Sequence, residues 1–360
     1  PRWRALLAGA GGLLMSRTVA AASALPGRRL DTATAIQLMG SVWPQASRLA
    51  ARSTESPSAR YVAADLSQVL SPPGLGERMD AYRDAALELS VAAAEKALDH
   101  AHVSPEQVDA VVSVSCTGYL VPSLDIALGE RMGLRDNLVR LPITELGCSG
   151  GAAAIGFGHR HLLALPDQTV LVVAVELPSL TFQPGDRSID NLTASLVFGD
   201  GAGALVMRGN AGFGMHVRGA SSHVVRGTSG SLGFDLKDGG FHVVLDRRLP
   251  RIVAATIGDV VADFVDRQGA GRPEFLAAHT GGPRISDAIQ EALGLDPELL
   301  RVSREVFDTT GNTSSASILM VVERLMESLG DQPLEGLGIG IGPGVSIELL
   351  DLAWEPVGNL

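Results

Sequence analysis

Three side chains of this 360-residue chain could together transform an acyl thioester: a thiol, an imidazole and a carboxamide. The thiol belongs to Cys148, which glycines flank in the sequence LGCSGGA at positions 146–152. We predict that a loop enters a helix here, since such a turn exposes a side chain and a helix start favours a thiolate. A buried structural cysteine is an equally good interpretation of the local sequence.

The imidazole and the carboxamide belong to His279 and Asn312, which lie at the ends of predicted elements. His279 ends a predicted strand, Glu274–His279, and is followed by Thr-Gly-Gly-Pro. Open α/β sheets place active sites beyond strand ends, although a single histidine is more often structural. Asn312 lies in GNTSSAS at positions 311–317, where a helix is predicted to start, so it could also be a simple helix cap.

Considered together, the three residues fit one reaction. A thiol beside an imidazole can form a thiolate–imidazolium pair that attacks a thioester. Hydrogen-bond donors on His279 and Asn312 could stabilise the oxyanion, and also the enolate that remains when a malonyl group loses carbon dioxide. The set therefore predicts decarboxylative Claisen condensation without a metal or an organic cofactor.

The elements around these residues follow a pattern that occurs twice. Predicted strands end at Ser115 and at His279, and Cys148 and Asn312 each follow 33 residues later, in the similar strings GCSGGA and GNTSSA. Such weak self-similarity, with strands alternating with helices in each half, predicts a duplicated α/β fold. We place the halves at 15–212 and 213–360.

The first residues allow two interpretations. Arg2, Arg4 and the apolar stretch 5–15 loosely resemble a signal peptide with a small-residue site at 21–24. We favour Met15 as the natural start, because Arg17 interrupts the apolar stretch, and we leave 1–14 out of the fold.

The overall charge narrows the choice of partners. The net charge of −11 argues against nucleic acid as the main partner, because phosphate backbones require a basic face. No apolar run reaches the roughly 18–20 residues that a membrane span needs.

Additional motifs identify a resemblance that covers the chain from about Arg60 to Leu352. Phe198 lies in LVFGDGAGA, Phe241 lies in GGFHVVLDRRLP, and the string GIGPG at 340–344 resembles a GFGPG loop with Ile341 in place of phenylalanine. With Cys148, His279 and Asn312, these motifs resemble the type III polyketide synthases of the chalcone synthase superfamily.

The resemblance implies a thiolase-like duplicated fold, layered α-β-α-β-α, in a cytosolic homodimer. It implies that malonyl-CoA is condensed onto an acyl-CoA or malonyl-CoA starter, with no metal and no cofactor beyond the coenzyme A thioesters. Cys148, His279 and Asn312 take the catalytic positions, and Phe198 and Phe241 take the gatekeeper positions. Cys116, Thr117 and Thr181 would line the cavity.

Arg48 and Arg52 resemble the residues of this family that bind the phosphates of coenzyme A. Arginine suits that task because its guanidinium pairs well with phosphate oxygens. A solvated helix face is an equally good interpretation of the two arginines. The product also stays open: Cys116 and Thr117 favour a malonyl-primed tetrahydroxynaphthalene-type product, while a fatty-acyl-primed pyrone or resorcinol is equally compatible with a cavity of small residues.

Three alternatives to this interpretation differ in their sequence signatures. A β-ketoacyl-ACP synthase III shares Cys–His–Asn, but it would normally have Gln-Ala-Asn after the histidine, where this chain has Thr-Gly-Gly-Pro. A non-catalytic partner of the same fold should have lost its nucleophile. A Cys–His–Asn hydrolase would not explain the two gate phenylalanines or the Gly-Pro-Gly loop.

Overall fold

The computed structural model describes residues 15–44, 56–209 and 212–356. Its strands are β1 Ser16–Ala24, β2 Arg29–Asp31, β3 Ala59–Tyr61, β4 Ala110–Val114, β5 Val139–Ile143, β6 Thr169–Glu176, β7 Gly201–Arg208, β8 Gly214–Val224, β9 Leu232–Lys237, β10 Gly240–Leu245, β11 Phe275–Ala278, β12 Leu334–Gly342 and β13 Ser346–Glu355. Its α-helices are α1 Thr32–Val42, α2 Leu66–Leu70, α3 Leu75–Ala101, α4 Leu124–Met132, α5 Gly150–Ala164, α6 Ile189–Val197, α7 Leu249–Gln268, α8 Pro283–Leu293, α9 Arg301–Thr310 and α10 Ala316–Ser328.

One mixed sheet joins nine strands in the order β11-β12-β13-β8-β1-β7-β6-β4-β5. The run β4-β6-β7-β1 has one parallel and then two antiparallel pairings, and the run β11-β12-β13-β8 repeats this pattern in the second half. The two runs meet where β1 pairs antiparallel with β8, Ser16 lying opposite Val217 and Thr18 opposite Met215. The predicted duplication is therefore visible in the strand order.

Three apolar clusters fill the spaces between the layers. The central cluster contains residues of α5 and α10 between the inward faces of the two half-sheets. A second cluster packs α3 and α4 on the outer face of the first half, and a third packs α7 and α8 on the outer face of the second half. Alternate residues of β6 point to opposite clusters, so the strand is apolar from Val170 to Val175. These clusters confirm the predicted α-β-α-β-α layering.

Strand β1 shows why the beginning of the chain was hard to interpret. Ala20, Ala22 and Ala24 pack against α3 in the second cluster, whereas Ala21 faces the central cluster. Small side chains allow helices to approach this strand closely on both faces, so the small-residue stretch proposed as a cleavage site is the centre of the sheet. Residues 1–14 lie outside the described residues, and the division at 212/213 stays a prediction.

The predicted helices and strands near the site agree with the structure to within a few residues. The strand predicted at Glu274–His279 is β11, which ends one residue before His279. The sequence-based predictions gave no element for β1, β2, β3, β5, β8, α1, α2, α6, α9 or the β9–β10 hairpin. Among the described residues, no helix combines the length and the apolarity that crossing a membrane requires.

The buried carboxylate of Asp200 fastens the segment between α6 and β7 to two other segments. It accepts hydrogen bonds from the Ala63 backbone N–H at 2.7 Å and from the Ser179 N–H at 2.9 Å, and also from the Ser179 hydroxyl. Burial raises the pKa of this carboxyl to about 6. We expect Asp200→Ala to lower the free energy of unfolding by about 2–4 kcal/mol, because it leaves buried donors unpaired.

Urea denaturation followed by circular dichroism measures this loss. Asp200→Asn is the matched control, because it keeps one acceptor oxygen and should lose only about half as much. Equal stability of the alanine variant and the wild type would contradict the structural role of Asp200.

Candidate active site

Cys148 lies on a tight turn that the C-terminal loop supports. A single 3-10 turn, Gly147–Ser149, runs directly into α5, and the Cys148 side chain is buried. Gly147 has a φ of +50°, and a Cβ there would lie 2.7 Å from the Pro343 ring. The Ser149 hydroxyl is 2.9 Å from that of Ser346, beyond the Gly-Pro-Gly loop. Glycine before the nucleophile is therefore required both by backbone conformation and by space.

His279 and Asn312 are buried and fixed through their backbones. The His279 N–H donates to the Ile339 carbonyl at 2.8 Å, which continues the pairing of β11 with β12 beyond the end of the strand. Asn312 follows Gly311, whose φ of +75° ends α9. The Asn312 Oδ1 accepts from the Ser314 N–H at 2.8 Å, which leaves the amide N–H groups available as donors.

Ser314 contacts all three of the predicted catalytic residues. Its hydroxyl lies 3.5 Å from the Cys148 Sγ, its N–H holds Asn312, and its carbonyl oxygen accepts a hydrogen bond from the His279 ring. Ser314 has a φ of +49°, a conformation that few non-glycine residues adopt and that is concentrated at functional sites. Sequence reasoning did not single out Ser314, because a serine inside GNTSSAS carries no signal of its backbone conformation.

Burial controls the protonation of the site. It raises the pKa of the Cys148 thiol to about 12, although the Ser314 hydroxyl and the Asn312 amide act in the opposite direction. It lowers the pKa of His279 to about 4, and its Nδ1 has no partner among the described residues. At pH 7 both side chains are therefore neutral and hold one dissociable proton between them. This differs from the expectation of a thiolate at the helix start, because burial outweighs the helix dipole.

We predict that His279 determines the pH dependence of Cys148 alkylation. A coupled pair carries one proton between its two apparent pKa values. The fraction present as thiolate–imidazolium is then constant, so the rate of alkylation by iodoacetamide should be flat between about pH 6 and pH 9. In His279→Gln the thiol titrates alone, and the rate should rise about tenfold per pH unit. Peptide mapping separates the alkylation of Cys148 from that of Cys116. The same slope in both proteins would contradict the coupling.

Two cavities meet at Cys148. The inner cavity, of about 560 Å³, reaches Cys148, Phe198 and the β9–β10 hairpin, and the outer one, of about 420 Å³, is lined by Cys148, Phe198, His279 and Asn312. Phe198 therefore borders both cavities, and its role as a gate stays a prediction. Its backbone is joined to the second half, because the Asn312 N–H donates to the Val197 carbonyl at 2.9 Å and the Gly199 N–H donates to the Asn312 carbonyl at 3.1 Å.

The other predicted cavity residues line the inner cavity. Phe241 packs edge to face on Phe234 in the β9–β10 hairpin, with ring centroids 5.7 Å apart. The Thr181 hydroxyl donates to the Pro178 carbonyl, so this side chain presents mainly its methyl group. The predicted cavity residues Cys116, Thr117 and Thr181 therefore line the same cavity as Phe241.

A buried carboxylate that the sequence did not reveal organises the wall at Cys116. Glu176 is fully buried at the end of β6 and accepts from the Thr117 hydroxyl at 2.8 Å, from the Cys116 N–H at 3.1 Å and from the Ser315 hydroxyl. The Cys116 Sγ lies 3.4 Å from the same carboxylate, and burial raises the pKa of its thiol well above the usual value. Cys116 is therefore held as a neutral thiol in the cavity wall.

The outer cavity contains two further arginines. Arg247 and Arg284 line it together with the predicted triad. Neither was predicted as a site residue, since a single arginine in a loop (Arg247) or in the first turn of a helix (Arg284) gives no pattern. Arg48 and Arg52, which were predicted to bind coenzyme A, lie outside the described residues.

The duplicated layered fold and a thiol, an imidazole and a carboxamide around one cavity place the chain among the thiolase-type condensing enzymes. Residues 64–211 match the family "Chalcone and stilbene synthases, N-terminal domain", and residues 216–353 match "Chalcone and stilbene synthases, C-terminal domain".

Similar proteins agree with these matches. The 1,3,6,8-tetrahydroxynaphthalene synthase of Streptomyces griseus is 35% identical over 83% of this chain and 81% of its own length. The phloroglucinol synthase of Pseudomonas fluorescens is 30% identical over 82% of this chain and 85% of its own. The crystal structure of the bacterial type III polyketide synthase 1,3,6,8-tetrahydroxynaphthalene synthase from Streptomyces coelicolor A3(2) matches at 30% identity with a TM-score of 0.89, over 96% of this chain and 100% of that chain.

The chain therefore belongs to the chalcone and stilbene synthase family and is a type III polyketide synthase, an acyltransferase. This assignment disfavours the carrier-protein-dependent synthase considered above.

Proposed function

We propose that Cys148, His279 and Asn312 are the catalytic residues of this synthase and that malonyl-CoA extends an acyl-CoA or malonyl-CoA starter. The observation that carries the proposal is the single cavity lined by all three side chains, with Ser314 in contact with each of them. In the loading step, His279 accepts the thiol proton and the Cys148 sulfur attacks the starter thioester. The C–S bond to coenzyme A breaks, and the imidazolium returns the proton to the departing thiol.

The proposed decarboxylation uses the hydrogen-bond donors of His279 and Asn312. The carbon–carbon bond to the malonyl carboxylate breaks, carbon dioxide leaves, and the electron pair moves onto the thioester oxygen as an enolate. N–H groups of His279 and Asn312 stabilise that oxygen, while Phe198 helps to exclude water. The enolate carbon then attacks the acyl group on Cys148 and releases the thiolate. The lengthened chain is reloaded onto Cys148 and later cyclised.

The outer cavity is the proposed entry for coenzyme A. Arg247 and Arg284 supply positive charge beside the triad, and Arg48 and Arg52 stay proposed phosphate contacts. The thioester substrates supply all of the reactive groups, so the proposal includes no metal and no other cofactor. We also propose a homodimer that works in the cytosol, where coenzyme A thioesters are found. Light scattering of the purified protein tests the dimer.

The test of the function is incubation with malonyl-CoA alone and with malonyl-CoA plus a series of acyl-CoA starters, with mass spectrometry of the products. A product that disappears in Cys148→Ala supports the proposal. Absence of both product and coenzyme A release with every free thioester would contradict it. Activity only with carrier-protein thioesters would favour the β-ketoacyl-ACP synthase III reaction instead.

A further inference from the structure

The inner cavity that reaches Cys148 also lies between α1 and α2. Ala35, Leu38 and Met39 of α1 line it, and so do Leu66, Val69 and Leu70 of α2. We call the space between these six side chains the apolar lobe. It is part of the same cavity as Cys148 and Phe198, so a group attached to the nucleophile can occupy it without leaving the enzyme.

Both helices present an apolar stripe to this space. In α1 and in α2 the lining residues follow the spacing i, i+3, i+4, which places them on one helical face. Leu66 and Val69 rest against the second apolar cluster, yet they and Leu70 each stay only half-buried on the cavity side. Protein interiors are close-packed, so two apolar stripes on either side of a cavity indicate a ligand site.

The polar side chains that border the apolar lobe are mostly engaged within the protein. The Asn191 amide donates to the Gln183 and Asp186 carbonyls at 2.8 Å, and the Ser195 hydroxyl donates to the Asn191 carbonyl at 2.6 Å. Apart from Arg60, a ligand in the lobe therefore meets mainly hydrocarbon.

Arg60 is a cationic side chain that lines the inner cavity near the apolar lobe. Its guanidinium donates to the Ser195 carbonyl and, at 3.1 Å, to the Thr32 hydroxyl. Its buried Nε has no partner within the described part of the chain. A starter that ends in a carboxylate is thus the competing occupant, and the experiment must separate it from a plain hydrocarbon chain.

We infer that the apolar lobe holds the hydrocarbon chain of an acyl starter on Cys148, so the preferred starter is a medium- or long-chain acyl-CoA rather than a second malonyl unit. This inference rests on the proposed function of Cys148. Each methylene moved from water into the lobe should raise kcat/KM about fourfold, until the lobe is full.

The experiment measures two rates over saturated acyl-CoA starters from C4 to C16. Intact-mass spectrometry follows the acylation of Cys148, and product formation with malonyl-CoA gives kcat/KM. Ala35→Phe fills the lobe and should shift the optimum to shorter chains. Ala33→Phe places the same ring on an exposed position of α1 and should leave the optimum unchanged. Leu70→Ala widens the lobe and should shift the optimum to longer chains, which provides a second test if Ala35→Phe does not fold.

Several results would overturn the inference. These are rates independent of chain length, no acylation by any starter, equal effects of Ala33→Phe and Ala35→Phe, or a preference for ω-carboxyl starters such as glutaryl-CoA over alkyl starters of the same length. Carbon dioxide release from malonyl-CoA alone is followed in parallel. If that release is normal and depends on Asn312 while chain length has no effect, only the lobe inference fails; if the release is absent, the proposed function fails.

Discussion

Cys148→Ala should abolish polyketide formation, by about 10⁴-fold or more, and yet continue to convert malonyl-CoA into acetyl-CoA and carbon dioxide. In the proposed mechanism the Cys148 sulfur carries the acyl chain, so its loss removes the electrophile for every condensation. The proposed decarboxylation needs only the donors on His279 and Asn312, whose positions depend on their own backbone bonds and on Ser314. Product analysis and release of labelled carbon dioxide measure the two activities separately.

The second thiol supplies a matched control for this variant. Cys116→Ala also removes a sulfur from the inner cavity, 3.5 Å from the same Ser314 hydroxyl, but it leaves the nucleophile in place. It should retain condensation, with any change limited to the distribution of products. Condensation at the wild-type rate in Cys148→Ala would exclude Cys148 as the acyl carrier.

Asn312→Ala should lower malonyl-CoA decarboxylation about 10²–10³-fold, the usual cost of removing one oxyanion donor. Alanine also removes the acceptor for the Ser314 N–H and could therefore disturb the backbone. Asn312→Asp resolves this ambiguity, because aspartate keeps an oxygen for that N–H and offers no amide donor.

The two variants should therefore lose decarboxylation to a similar degree, while the aspartate variant keeps the wild-type melting temperature. An aspartate variant with wild-type decarboxylation would show that Asn312 acts through the backbone of Ser314 and not as a donor to the substrate.

The parts of this structure that the sequence could predict share one property. In each of them the local sequence pattern is the one expected for the position of that element in the fold. Buried strands such as β6 have an unbroken apolar centre, and a glycine-rich turn lies where a helix begins at Cys148. Repetition of those turns at one offset was enough to predict the duplicated fold. The predicted triad residues line a common cavity for the same reason, since each lies at the end of a recognisable element.

The elements that the sequence analysis did not predict have sequences that are compatible with more than one type of secondary structure. Four of the nine residues of strand β1 are alanines, because α3 and α10 need room on its two faces, and alanine has little preference for strands. The β9–β10 hairpin is half-exposed and contains polar residues, yet it supplies Phe234 and Phe241 to the cavity. Ser314 and Glu176 matter through contacts between segments more than 100 residues apart, which no local pattern can indicate.

The backbone bonds between Phe198 and Asn312 have a consequence for recombination between relatives. These bonds join Phe198, the proposed gate, to Asn312, the proposed oxyanion donor, across the two predicted halves of the fold. A chimera built from the first half of one synthase and the second half of another can inherit every catalytic side chain and still misplace them at this seam. We therefore expect productive exchange only when the segments around 197–199 and 311–314 come from the same parent.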